Sequence, residues 1–270
     1  MSCNSDFILQ LNDKIIERKI SNFVGYEELI SEIQKIADMI FDSKKRIPIE
    51  VLNYFSINGN IMLYGKAGVG KTSIAYKIAS YILNEYGIKS YQLSIADIIE
   101  TNLGKTTSNI KTAIEDVKDI SKEYGSLLIL DEVDRLFINR KNDNEISELK
   151  RMLIEFMDFL DNLAINDKIM IIGITNLNDD LDEAFKRRFI FQYNIKNDEE
   201  VLYKLFKDAN KILSIEMLEK DLKQYSKLYA QKEKTCDFVK SLYRKEILNN
   251  YGKHKELKNN IIKKIKEMEA

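Results

Sequence analysis

Eight consecutive residues match the pattern G-x-x-x-x-G-K-[ST], whose backbone N–H groups can surround the phosphates of a nucleoside triphosphate. They are Gly65, Lys66, Ala67, Gly68, Val69, Gly70, Lys71 and Thr72. The glycines allow backbone angles that a Cβ would forbid, so that successive N–H groups can point at one anion. Lys71 would reach the β- and γ-phosphates, and the Thr72 hydroxyl would ligate Mg²⁺. The alternative is a chance match in a glycine-containing turn.

The segments on both sides of this loop are those that the motif requires. Residues 61–64 form an apolar run typical of a buried strand, and the residues from Ser73 onward follow a helical pattern. A helix that begins near Lys71 would add its positive end to the same site. We therefore expect a nucleoside triphosphate site that includes Ser73 as a further contact.

A pair of carboxylates follows a second apolar run, residues 127–130. Asp131, at the carboxyl end of a buried strand, could hold Mg²⁺. Glu132 would then be the general base that orients and deprotonates the attacking water. The alternative is a capping Asp-Glu pair, which is common after buried strands in general. Asp134 extends the pair to D-E-x-D, a helicase pattern, but those enzymes need a second ATPase lobe that 270 residues do not supply.

Two more polar pairs occur at the ends of predicted strands or just before them. Thr175 and Asn176 follow the apolar run 169–174. An amide there can hold a water by donating and accepting hydrogen bonds at once, although the same pair is also typical of a turn. Arg187 and Arg188 precede the last predicted strand, near residues 189–193. They could form surface salt bridges, or reach the γ-phosphate bound to a neighbouring subunit.

In their order and spacing, four segments resemble the AAA ATPases, nearest to the clade of protease-associated unfoldases, microtubule-severing enzymes and related remodellers. The segments are 65–72, 127–134, 175–176 and 181–189. Val24 and Gly25, after Phe23, resemble the adenine-side entry motif of the same clade. The resemblance runs from about Asn22 to Tyr193.

The resemblance implies an α/β fold: a P-loop three-layer αβα parallel sheet in the strand order 5-1-4-3-2, followed by a small all-helical lid. It implies a homo-oligomeric ring, usually a hexamer, with ATP and Mg²⁺ at each subunit boundary. In that ring Asn176 takes the sensor role, and Arg187 and Arg188 act as fingers in trans. Val24 and Gly25 would contact the nucleotide.

Two segments depart from the family pattern. Asn102 stands where the first pore loop usually carries an aromatic residue, with Leu103 beside it. Because aromatic side chains grip a threaded polypeptide through large apolar contacts, processive threading is in doubt. In the lid, residues 235–237 (Thr-Cys-Asp) stand where relatives carry small-small-Asp, and there is no obvious second-sensor arginine. Lys232 or Lys234 could contribute charge there.

These patterns divide the chain into three regions. We expect residues 1–21 to be an N-terminal helix or linker, 22–195 the ATPase subdomain and 196–270 the helical lid. The first region has apolar residues at helical spacing, namely Phe7, Ile8, Leu11, Ile15, Ile16 and Ile20. That helix could pack on its own domain or dock a partner, and we expect no separate substrate-binding domain in front of it.

Composition narrows the setting. A hydrophobic share of 44% and a charged share of 31% describe an ordinary soluble globular chain. Cys3 and Cys236 lack metal-ligand spacing and point to a reducing compartment. No apolar run is long enough to span a bilayer and the first residues lack a signal-peptide pattern, so we expect a cytoplasmic protein without a membrane partner.

Three classes of function fit these features. The leading one is an oligomeric, ATP-driven remodeller of a protein client. The second is a regulatory switch in which ATP controls a separately encoded effector enzyme, as in small bacterial relatives found beside such partners, including in anti-phage systems. The third is a nucleic-acid loader, supported only by the excess of basic residues after Asn194, which also fits the solvated face of helices.

Overall fold

The computed structural model describes residues 7–42, 44, 47–100, 106–137, 143–177 and 181–267. The chain divides into two compact units. Unit 1 contains Glu28–Gly65 and Lys71–Asn194, together with the N-terminal residues up to Ser21. Unit 2 contains Asn22–Glu27, Lys66–Gly70 and the chain from Ile195 onward. The boundaries proposed above for the ATPase and lid subdomains stay a prediction.

The strands of unit 1 form one sheet. In chain order they are β1 Ile8–Leu11, β2 Asn60–Tyr64, β3 Ser90–Ser94, β4 Ser126–Asp131, β5 Ile169–Thr175 and β6 Phe191–Asn194. Among the described residues the sheet has six strands, in the order β1-β3-β4-β5-β2-β6. Neighbours from β3 to β6 in that order are parallel. The predicted order 5-1-4-3-2 counts the strand before the glycine-rich loop as strand 1. It corresponds to β6-β2-β5-β4-β3 and is therefore confirmed.

The central strands are apolar because both of their faces are covered. Every residue of β5 is buried, as expected for a strand in the middle of a parallel sheet. The helices of unit 1, apart from the first residue of α2, are α1 Asp13–Ile20, α2 Glu27–Phe41, α3 Ile49–Tyr54, α4 Lys71–Tyr86, α5 Ile95–Glu100, α6 Thr106–Tyr124, α7 Asp143–Asp161 and α8 Glu183–Lys186. Helix α6 packs against α7, and α1 packs against α4. Apolar residues of α5, α6 and α7 join β3, β4 and β5 in one core cluster.

The N-terminal segment corrects one prediction. Ile8 and Leu11 belong to the strand β1, which pairs antiparallel with β3, and not to a helix. The helix begins only after Asn12, whose Oδ1 accepts a hydrogen bond of 2.9 Å from the Ile15 N–H. Asn12 therefore caps α1 and separates the two elements. A few apolar residues at positions i and i+3 fit either element, and here the open edge of β3 provides a strand partner.

Unit 2 is helical from Glu199 onward. Its helices are α9 Glu199–Ile212, α10 Glu219–Gln231, α11 Cys236–Asn249 and α12 His254–Lys266. Phe206 and the rings of Tyr229 and Tyr243 lie at its centre, with ring centroids 5.2 and 6.4 Å from that of Phe206. The change from strands to helices after Asn194 agrees with the sequence pattern over the described residues.

Candidate active site

Three neighbouring strands of unit 1 end in predicted site residues. Asp131 is the last residue of β4, Asn176 follows the last residue of β5, and Gly65 follows β2. Strand β5 lies between the other two, and all three are parallel. Their carboxyl ends therefore meet at the same edge of the sheet, where ligands of open α/β sheets bind.

Lys71 is the buried cation of this edge. It is the first residue of α4, and its Nζ donates to the Gly65 carbonyl oxygen at 2.7 Å and to Asn176 Oδ1 at 2.8 Å. Burial lowers the pKa of Lys71, and the nearby carboxylates of Asp131 and Asp134 oppose this shift. An ammonium group held out of water in this way gains from an additional anion. Lys71 and Asn176, far apart in sequence, are brought together as a phosphate site requires.

The carboxylate pair has two different environments. Burial raises the pKa of Asp131, and the Glu132 N–H donates to its Oδ1 at 3.0 Å. Glu132 has a φ of +55°, a left-handed conformation that is rare for a residue with a side chain and that is often found at functional sites. Its Oε2 accepts a hydrogen bond of 2.6 Å from Arg135 Nε, in a partly exposed ion pair. Glu132 is thus accessible to water but engaged by a neighbouring cation.

A buried carboxylate that has no predicted role lies beside this pair. Asp134 Oδ1 accepts hydrogen bonds from the Thr175 hydroxyl at 2.8 Å and from the Asn176 N–H at 3.3 Å. Only 9% of Asp134 is exposed. The D-E-x-D pattern contains this residue, but local sequence gives no sign of its partners.

The middle of the glycine-rich loop, Lys66–Gly70, belongs to unit 2. Gly68 and Gly70 have φ values of +79° and +110°, so both use the freedom that the motif predicts. The Val69 carbonyl oxygen accepts hydrogen bonds from the Tyr26 hydroxyl at 2.9 Å and from Asn197 Nδ2 at 3.0 Å. Sequence reasoning did not find these two residues, because each contact joins distant segments of the chain. Ala67 and Gly68 are exposed at the tip of the loop.

The remaining predicted nucleotide contacts have varied surroundings. Thr72 and Ser73 lie half-buried in the first turn of α4. Lys66 forms an exposed ion pair with Glu233. In unit 2, Val24 packs against the helical core.

Gly25, the next predicted contact, has a φ of +84°. An added Cβ would lie 2.8 Å from Val201 Cγ2, so this position has room for glycine alone. No contact among the described residues reports on adenine binding by Val24 or Gly25, and their role stays a prediction.

The two arginines differ. Arg187 is the exposed C-cap of α8. Arg188 is turned toward its own subunit, where its Nη2 lies 2.9 Å from Asp161 Oδ2 and its Nη1 donates to the Ala184 carbonyl oxygen. A role in a neighbouring site is untested for both, but only Arg188 has an ion-pair partner within the described part of the chain.

The two departures from the family pattern have different outcomes. Asn102 and Leu103 lie outside the described residues. In unit 2, Thr235 caps α11, and the Asp237 N–H donates to the Gly68 carbonyl oxygen at 3.2 Å. The Asp237 carboxylate pairs with Arg244 at 2.6 Å. The small-small-Asp position is therefore a neighbour of the loop tip within this unit.

Comparisons with known proteins agree with the geometry. The family model described as "ATPase family associated with various cellular activities (AAA)" matches residues 61–197. Cell division protein C of Sulfolobus acidocaldarius is 32% identical over 48% of this chain and 34% of its own length. The ATP-dependent zinc metalloprotease FtsH of Streptococcus pneumoniae is 28% identical over 65% of this chain and 26% of its own length. The chain thus spans about a third or less of these curated relatives.

Solved structures share the fold at low identity. A chain of the Escherichia coli MS115-1 HORMA:CdnC:Trip13 complex matches with a TM-score of 0.75 and 17% identity, over 96% of this chain and 95% of that chain. The AAA domain of FIGL-1, solved in complex with ADP, matches with a TM-score of 0.63 and 16% identity, over 93% and 79%. Within the part of the chain that the structure describes, no helix combines the length and apolar character needed to cross a bilayer.

Proposed function

The chain belongs to the AAA family of ATPases, and on that premise we propose that it binds ATP with Mg²⁺ at the carboxyl ends of β2, β4 and β5 and hydrolyses it. The observation that carries the proposal is the buried Lys71, whose Nζ lies 2.8 Å from Asn176 Oδ1 at the end of the strand between the other two. A buried cation beside polar groups, at the start of a helix, is what a phosphate group needs.

The residues present fit both ligands. In unit 1, α4 begins at Lys71, so that the positive end of the helix lies at the same edge of the sheet, and the Thr72 hydroxyl lies in its first turn. In unit 2, Gly68 and Gly70 hold the loop in conformations that only glycine adopts readily. Thr72 and Asp131 would hold Mg²⁺, which when bound would neutralise charge on the phosphate oxygens.

Glu132 and Asn176 would orient and deprotonate the attacking water. The Glu132 carboxylate accepts the proton of the water. For this, either Arg135 must release Oε2, or the other carboxylate oxygen must act as the base. The Asn176 amide orients the same water by donating and accepting hydrogen bonds, while its oxygen also faces Lys71. Glu132 is a base acting on water, whereas Lys71 is a binding group, and this difference can be measured.

The test compares Glu132→Gln with Lys71→Ala. Glu132→Gln keeps the shape of the side chain and removes the base, so we expect ATP binding to persist while kcat falls by about a hundredfold or more. Lys71→Ala should weaken nucleotide binding itself, as seen in the Kd of a fluorescent ATP analogue. Glu115→Gln, an exposed carboxylate on α6, is the matched control and should behave as wild type. Turnover near the wild-type rate in Glu132→Gln would rule out the proposed mechanism.

We further propose that the subunits assemble into a ring, with six as the expected number, and act on another protein. The leading role is remodelling of a protein client. Membership of the family supports assembly, and it leaves the client open.

A regulatory switch is the second candidate. The likeness of fold to a chain of the HORMA:CdnC:Trip13 complex, over nearly the whole of both chains, favours it, because that chain is part of an assembly with other proteins. The Glu132→Gln protein separates the two roles. For a remodeller, we expect wild type to hold its client only transiently and to release it in an altered form. For a switch, we expect the effector to bind the ATP-loaded protein in a fixed ratio and to be released unaltered.

A further inference from the structure

Asp134 is a buried carboxylate of unit 1 that the proposed chemistry does not use. It lies in the 3-10 helix Val133–Phe137, directly after Asp131 and Glu132 at the end of β4. A carboxylate removed from water is costly unless hydrogen bonds satisfy it, so its partners indicate what it is there to hold.

Asp134 accepts hydrogen bonds from two groups at the end of β5. Its Oδ1 accepts from the Thr175 hydroxyl at 2.8 Å and from the Asn176 backbone N–H at 3.3 Å. The Thr175 oxygen in turn accepts from the Leu177 N–H at 3.0 Å. The hydroxyl is thus used both as donor and as acceptor, and the chain leaving β5 is tied at three consecutive residues.

This arrangement connects the ends of two neighbouring strands. The Asn176 backbone is fixed by Asp134 from the β4 side, and the Asn176 side chain reaches Lys71 Nζ at 2.8 Å. Asp134, which is 9% exposed, therefore ties the backbone of Asn176 to the end of β4, the strand that also carries Asp131.

We propose that Asp134 is a positioning residue that holds Asn176 at the working distance from Lys71 and from the Glu132 carboxylate. The inference rests on the proposed function, because it assigns Asp134 an effect on ATP turnover. Charge-assisted hydrogen bonds in a buried setting are stronger than neutral ones, which favours a carboxylate over an amide at this position. Since Asp134 acts through Asn176, its loss should lower kcat and leave nucleotide binding unchanged.

The experiment is a double-mutant cycle between Asp134 and Asn176. We expect Asp134→Ala to lower kcat by roughly 10- to 100-fold, the scale of a displaced catalytic group, with the Kd for ATP unchanged within about threefold. In an Asn176→Ala background the same substitution should change kcat by less than about threefold, because the residue it positions is already absent. Asp119→Ala, an exposed carboxylate on α6, should have no effect in either background.

Conservative variants guard against misfolding. Asp134→Asn keeps an acceptor oxygen in the same place and should lose less activity than Asp134→Ala. Thr175→Val removes the hydroxyl at nearly constant volume and should lower kcat, whereas Thr175→Ser keeps the hydroxyl and should restore it. Equal melting temperatures across this series would separate positioning from general stability.

The outcomes are distinct. Additive losses in the Asn176→Ala background, or a rise in Kd that accounts for the whole loss of kcat/KM, would overturn the inference. Wild-type turnover in Asp134→Ala would do the same while leaving the ATPase itself intact. Absence of Mg²⁺-dependent turnover in wild type would instead defeat the proposed function.

Discussion

Asp131 and Lys71 are ionisable side chains whose pKa values both move in the direction that burial imposes. Burial is the largest cause in each case, raising the pKa of Asp131 and lowering that of Lys71. Charges held where the fold disfavours them are typical of functional sites, because the same positions bind a charged ligand well.

Asp131→Asn should stabilise the nucleotide-free protein at neutral pH. The folded-state pKa of Asp131 is raised above its ordinary value of 3.8. The protonated side chain therefore makes its full contribution to stability below pH 3.8, and this contribution is lost as the pH rises through the folded-state pKa. At pH 7 the ionised carboxylate is therefore unfavourable, and asparagine removes the charge while keeping the oxygen that accepts the Glu132 N–H. We expect a higher melting temperature at pH 7 and a difference that shrinks toward pH 4.

Thermal unfolding without and with Mg-ATP measures the stability of the nucleotide-free protein and the stabilisation that the ligand adds. The variant should gain less stability than wild type from added Mg-ATP, since a metal ligand is lost. Asp119→Asn, which is exposed, should match wild type throughout. A lower melting temperature for Asp131→Asn at pH 7 would show that its attraction to Lys71 outweighs its burial.

The parts of the site that sequence could predict are those encoded by neighbours in the chain. The glycine-rich loop, Glu132 and the Asn176 position each follow an apolar run, and parallel strands bring such ends together. The contacts of Asp134 and Arg188 could not be read in this way. Asp134 meets Thr175 across 41 positions, and Arg188 meets Asp161 across 27, so both depend on which strands and helices become neighbours.

Among the elements, the strand β1 shows how a short apolar pattern is decided by its surroundings. Residues 8–11 carry too few positions to distinguish a period of 3.6 from an edge strand, whereas α6 is long enough for the period to be clear. The strand order was predictable because the motifs identify a known topology, but that topology has no place for β1.

Two leucines of β1 provide a matched pair of substitutions. Leu11 is 3% exposed and Leu9 is 54% exposed on the same strand. We expect Leu11→Ala to lower the free energy of unfolding by about 2 kcal/mol or more, and Leu9→Ala to change it by less than about 0.5 kcal/mol. Chemical denaturation measures both changes in the free energy of unfolding, provided that the variants and wild type have the same m-value. Equal losses would mean that β1 does not pack as described.

At the scale of the assembled molecule, the arginines are the residues expected to act outside their own subunit. Arg188 already has an intramolecular partner in Asp161, and such partly exposed pairs contribute about 0–1 kcal/mol. Arg187 is exposed at the end of α8. In the proposed ring we therefore assign the larger effect on a neighbour's γ-phosphate to Arg187.

Mixing two inactive variants tests this assignment. Arg187→Ala should retain ATP binding yet lose turnover, because the missing charge belongs to the next subunit's site. Lys71→Ala keeps the arginine and loses its own pocket. Their mixture should recover part of the ATPase rate, and mass photometry should show mixed rings in the presence of ATP.

Arg188→Ala is the matched comparison and should lose less activity than Arg187→Ala. Full activity in a variant lacking both arginines would show that they form only a surface pair. We also expect ATP to favour assembly of the ring, so mass photometry that shows the same oligomer with and without ATP would contradict this expectation.

The pairing of β1 with β3 also has a consequence for the order in which the chain folds during synthesis. Ile8–Leu11 is synthesised before β2 and α4, whereas the edge that it joins, Ser90–Ser94, is synthesised only after them. Until then this apolar segment has no partner, and the rest of the sheet can assemble without it. We infer that β1 docks late, on a sheet whose β3 edge would otherwise remain open to pairing between nascent chains.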